Sequence, residues 1–187
     1  MNSKQLRRPD LRYLQRPAST HGTSGQQRDH QPQTILNLPK GTEHFISDVH
    51  GEYEAFLHIL NSASGVVREK VDALFATSVS RAERDQLSTL IYYPSEKLSE
   101  LSGQLEDRNE WYRITLHRLI DVCRLVTSKY TRSKVRKAMP KEYAYIIDEL
   151  LNTNYEFHDK RDHYENIIST IIDIDRAEDF IVAVCNL

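Results

Sequence analysis

The stretch Phe45-Ile46-Ser47-Asp48-Val49-His50-Gly51 decides how this chain reads. A short apolar run ends in Asp-x-His-Gly, and a helical pattern starts directly behind it. That order predicts a strand over His44–Val49, a tight turn at Gly51 and a helix over Glu52–Ser62. Along extended backbone alternate side chains share a face, so Asp48 and His50 point at one spot. A carboxylate oxygen beside an imidazole nitrogen suits a borderline divalent cation such as manganese, iron or zinc. Gly51 has no Cβ, which lets the backbone turn sharply or a phosphate approach closely.

Immediately upstream, Ile35, Leu36 and Leu38 lead into the turn signal Pro39-Lys40-Gly41. Downstream, Tyr53, Phe56, Leu57, Ile59 and Leu60 recur at helical spacing, and Gly65 supplies a helix stop. Residues 34–65 therefore read as one strand–turn–helix unit. Residues 66–187 read as helix after helix. Val67, Val71, Leu74 and Phe75 make a short one, and Ser80-Arg-Ala-Glu83 is a capping box opening the next. Trp111, Ile114, Thr115, Leu119, Val122 and Val126 trace a long helix face. Pro140 suits a first helical position ahead of Tyr143, Ile146, Ile147 and Leu150. Tyr164, Ile167, Ile168, Ile171 and Ile172 form another stripe. Gly103 is the one glycine after Gly65, which argues against an embedded phosphate-cradling loop. The final run, Phe180–Leu187, stops mid-pattern without Gly, Pro or a charged cap. This predicts an uncovered apolar face and a truncated polypeptide.

Residues 1–33 differ in kind. Lys4, Arg7, Arg8, Arg12, Arg16 and Arg28 stand against Asp10 and Asp29, with few apolar side chains and no period. Too little apolar surface is present to offset ordering entropy, so a disordered or divergent tail is expected. It lacks the dense basic run and interleaved aromatics of a nucleic-acid arm. The chain as a whole has 187 residues, a formal net charge of -2 and 28% charged residues, a balance that predicts neither nucleic-acid nor membrane partners. No apolar run is long enough to span a bilayer, and no signal peptide opens the chain. Cys123 and Cys185 are too few for a disulfide framework and lack metal-ligand spacing, so both are expected to be reduced core residues. These features together give a cytoplasmic expectation.

Asp48-Val-His-Gly51 after a strand resembles the first metal motif of the calcineurin-like metallophosphoesterases. The longer stretch Ile35–Phe56 resembles the third class of bacterial fructose-1,6-bisphosphatase. So do Leu90-Ile-Tyr-Tyr-Pro-Ser-Glu-Lys-Leu98, Trp111–Leu116, Val122–Lys137 and Tyr145–Leu151. The likeness covers about Thr34 to Leu187. It implies an α/β fold. This chain would be the N-terminal piece of a metallophosphoesterase sandwich, mostly helical here with one or two β-strands, the region 66–187 being a helical insertion. It implies a manganese-dependent, two-metal phosphatase that removes the 1-phosphate of a sugar bisphosphate substrate, fructose 1,6-bisphosphate, in gluconeogenesis. Asp48 and His50 match the family's first-metal ligands. The family also needs a Gly-Asp-x-x-Asp-Arg motif, a Gly-Asn-His-[Asp/Glu] motif and later histidines. None of these is in the sequence, so the expectation is a fragment, inactive alone.

Other candidates are weaker. His44 and His58 lie near the motif, but His44 reads as a strand-surface residue. Asn154 and His158 are four apart yet lack the Gly-Asn-His context. Lys129, Arg132, Lys134, Arg136, Lys137 and Lys141 form a basic cluster, in which Arg132, Lys134 and Arg136 are candidates for binding a sugar phosphate or a phosphorylated regulator. Two alternatives stay open: another calcineurin-like phosphoesterase, and a non-enzymatic helical module whose apolar stripes bind a partner.

Overall fold

The helical periodicity is realised as nine α-helices among the residues described by the computed structural model, which are 45–48, 50–101, 103–153 and 158–187. They are α1 (Tyr53–Asn61), α2 (Val66–Phe75), α3 (Arg81–Tyr92), α4 (Pro94–Leu101), α5 (Arg108–Thr127), α6 (Arg132–Ala138), α7 (Ala144–Asn152), α8 (His158–Asp173) and α9 (Ala177–Cys185). A 3-10 turn, Ala63–Gly65, separates α1 from α2. All described residues fall in one unit spanning 39–187. The tail at 1–33 and the Ile35–Gly41 approach lie outside them.

The α/β expectation is overturned, because the described residues contain no strand. Phe45 to Asp48 has no regular secondary structure, and Phe45 is 93% exposed. The alternation that suggests a strand is present, but a strand is stable only as half of a ladder. Every other regular segment described is helical and satisfies its own backbone, so none offers an edge to pair with.

Local signals fix several helix starts. Ser80 accepts the Glu83 N–H at 3.3 Å while the Glu83 carboxylate accepts the Ser80 N–H at 3.2 Å, completing the capping box. Asp107 caps α5 through the Glu110 N–H at 3.0 Å. Pro94 is the first residue of α4, where a missing N–H costs nothing. Pro140 does not open a helix as expected. The Tyr143 N–H closes a turn on the Pro140 carbonyl at 3.1 Å, and α7 begins at Ala144.

The core forms around α5, which packs against α2, α7, α8 and α9. Tyr112, Leu116, Leu119, Ile120, Val122 and Cys123 are buried on several of its sides, so α5 is a central helix rather than an amphipathic one. Val71, Ile147, Leu150, Ile168, Phe180 and Ile181 belong to the same buried cluster, and burial of each such side chain contributes about 1.5–3 kcal/mol. The terminal run is not left uncovered. α9 packs on α4 and α5, and Phe180, Ile181 and Val184 are buried. Polar ties add direction. The Arg124 guanidinium donates to the carbonyls of Leu150, Leu151 and Thr153, closing the C-terminal end of α7. The Tyr112 hydroxyl donates to Glu178 at 2.5 Å, and Arg108 donates to both groups, locking α9 to the start of α5.

Candidate functional site

Asp48 and His50 lie just ahead of α1, in a segment held by turns. His50 has a φ of +23° and Gly51 a φ of +79°, and the Tyr53 N–H bonds to the Gly51 carbonyl at 2.9 Å. The Gly51 conformation is left-handed, which accounts for glycine there. Positive φ at His50 is uncommon for a residue with a side chain and marks a constrained turn. The turn brings the pair together: the imidazole Nδ1 of His50 contacts a carboxylate oxygen of Asp48. Both side chains are open to solvent, at 84% and 60% exposure. With Nδ1 engaged by the carboxylate, Nε2 is the nitrogen left to meet a ligand.

As a donor set this is one oxygen residue and one nitrogen residue. Among the described residues no three His, Cys, Asp or Glu side chains are grouped closely enough to hold a metal ion. The pair thus fits part of one cation's shell and does not fit a two-metal centre. His58 is engaged elsewhere: its Nδ1 is 2.8 Å from the Tyr93 hydroxyl, and its ring stacks on Tyr93. His44, Asn154 and the side chain of His158 lie outside the described residues. Helix α1, which carries the motif forward, buries none of its side chains, and Tyr53 and Leu60 are exposed.

The basic candidates divide. Arg132 and Arg136 share one face of α6 with Ser133 and Lys137, and these four line one surface depression. Arg132 donates to Asp148 at 2.8 and 3.4 Å, and Arg136 reaches the same carboxylate at 4.0 Å. These guanidinium groups, Arg132 first, hold the Asp148 carboxyl below its ordinary value despite its partial burial. Lys134 points elsewhere, with its ammonium 4.6 Å from the centre of the Tyr130 ring. The i, i+4 spacing made the pairs Arg132 with Arg136 and Ser133 with Lys137 readable, but not the meeting of the two pairs at one depression.

A second feature had no sequence signal. Val126, Val135, Lys134, Cys185 and Leu187 help to line an apolar cavity of about 240 Å³ between distant helices. Cys123 and Cys185 both border it, and burial pushes each thiol up to about 12. Neither is a thiolate at neutral pH, and both are free.

Residues 24–187 match the family model described as Firmicute fructose-1,6-bisphosphatase. Curated relatives include proteins named fructose-1,6-bisphosphatase class 3 from Clostridium botulinum strain Loch Maree, C. botulinum strain Okra and Clostridium acetobutylicum. Each is 57% identical over 155 residues, covering 83% of this chain. The chain spans 23% of the length of those relatives. No solved structure matches it.

Proposed function

The chain belongs to the Firmicute fructose-1,6-bisphosphatase family, and on that premise we propose that it serves, within a longer protein, the hydrolysis of fructose 1,6-bisphosphate to fructose 6-phosphate and phosphate in gluconeogenesis. The observation that carries this reading is the Asp48–His50 contact in the turn before α1, inside the region shared with the relatives. Asp48 supplies an anionic oxygen and His50 a neutral ring nitrogen. Manganese, a borderline cation, accepts both. The contact between the two side chains engages Nδ1 and leaves Nε2 as the ring nitrogen available to a ligand. The remaining donors of a two-metal site are to be sought beyond the described residues. A cytoplasmic location accords with the reaction. No described helix is long and apolar enough to cross a membrane.

Two assays test this. The purified 187-residue chain is expected to release no phosphate from fructose 1,6-bisphosphate in the presence of manganese, since two donor residues do not complete the site. A chimera carrying residues 34–187 in place of the matching part of the C. acetobutylicum relative is expected to be active. Asp48→Ala in that chimera is expected to lower kcat by more than about a hundredfold, because even residues that only support a metal ligand cost 10–100-fold. An active chimera indifferent to Asp48→Ala refutes the assignment of Asp48.

A further inference from the structure

We propose that the Arg132–Ser133–Arg136–Lys137 face of α6 is a binding site for the dianion of a phosphate monoester. Charge segregation is the first ground. Between Lys129 and Lys141 the chain carries Lys129, Arg132, Lys134, Arg136, Lys137 and Lys141 and no carboxylate, whereas the whole molecule is net -2. Convergence is the second. Arg132, Ser133, Arg136 and Lys137 line one shallow depression, within reach of a single anion.

The third ground is the way the cations are held. Asp148, only 18% exposed, lies beneath the two guanidinium groups, while Arg132 and Arg136 remain 64% and 65% exposed. Asn152 also donates to Asp148 at 2.9 Å, so the carboxylate is fixed from two sides. One carboxylate anchors two arginines and neutralises one of them. Arg132, Arg136, Lys137 and Asp148 together carry two excess positive charges, with Glu149 acting on Arg132 from the side, and this balance suits a phosphomonoester dianion. Like charges one turn apart, Arg132 and Arg136, repel each other, and a bound anion relieves that repulsion. The donors also suit phosphate: guanidinium forks bind its oxygens in pairs, a serine hydroxyl adds a third direction and an ammonium adds charge. Lys134 takes no part, being drawn to Tyr130.

The phosphate could belong to the sugar bisphosphate itself or to a separate phosphorylated metabolite, and the test separates these. The 187-residue chain is titrated at low ionic strength with inorganic phosphate, glycerol phosphate and fructose 1,6-bisphosphate, while backbone amide shifts are followed by NMR. Saturable binding centred on residues 132–137 is expected. The exposed pair R136E/K137E is expected to weaken it by at least about tenfold. R81E/R161E, an equal charge change on other helices, is expected to alter it by less than about twofold. Equal losses in both variants, or shifts that never saturate, overturn the site. So does a heparin chain that binds more than about a hundredfold more tightly than phosphate, which marks a polyanion surface instead. If the site stands, fructose 1,6-bisphosphate binding far more tightly than glycerol phosphate identifies the sugar's phosphate, and equal binding identifies a separate metabolite. No hydrolytic step enters, so failure here leaves the proposed activity untouched.

Discussion

The segment Phe45–Asn61 and the helices that follow it are built on opposite terms. The first carries the metal-type donors, yet α1 buries no side chain and Phe45 stands in solvent. The second also pairs imidazoles with carboxylates, His117 with Glu165 and His163 with Glu149, but it holds Leu116, Ile120, Ile147, Leu150, Phe180 and Ile181 in one buried cluster. α1 is tied to its neighbour by few directed contacts, among them Asn61 to the Tyr92 carbonyl at 2.9 Å and His58 to Tyr93. The Asp48–His50 pair and the buried core thus occupy separate stretches of sequence. A substitution that erases one should spare the other.

The sharpest way to break this contrast is a pair of truncations. Phe180→Ala is expected to cost about 3–5 kcal/mol in urea unfolding, because its ring is fully buried against Tyr143 and the α5 core. Tyr53→Ala, in exposed α1, is expected to stay within about 0.5 kcal/mol. Comparable losses would mean that the two regions share one core. A smaller effect tests the start of α3. Ser80→Ala removes the capping box and is expected to cost about 1 kcal/mol, while Ser80→Asp retains most of it.

Smallest is the acid response of the α2–α3 seam. Hydrogen bonds from Arg84 and then Arg68 hold the Asp72 carboxyl below its ordinary 3.8. A carboxyl lowered in the folded state stabilises fully above its unfolded value and loses that contribution as pH falls through the lower, folded one. Stability measured from pH 5 downward is therefore expected to decline more steeply in the native chain than in Asp72→Asn. Parallel declines would mean that the seam contributes nothing. The group is exposed, so the difference should be modest and should shrink with added salt.

The helices marked by an apolar stripe were legible because a stripe is a local signal, whereas α4 and α6, which carry no such stripe, were not read. The Trp111–Val126 spacing became α5, the Tyr164–Ile172 stripe became α8, and Ser80-x-x-Glu83 capped α3. What was misread depended on partners. The Phe45–Asp48 pattern suits a strand, but pairing is a property of two segments. Phe180–Leu187 looked uncovered because α4 and α5, which cover it, lie far away in sequence. Pro140 was a local misreading of another sort. Its fixed φ serves a turn as readily as a helix start, and the Tyr143-to-Pro140 hydrogen bond shows which was realised. At the candidate site Asp48 and His50 do meet, but a turn with positive φ at His50 brings them together, so the strand alternation behind the expectation plays no part.

The condition of the two thiols has a practical corollary. Because burial raises the thiols of Cys123 and Cys185 well above the ordinary range, maleimides and iodoacetamides should react only slowly with the native polypeptide. A cysteine placed at position 53 would then be the fastest-reacting handle. A dye attached there would watch the motif segment alone, against a background that the rest of the molecule leaves dark.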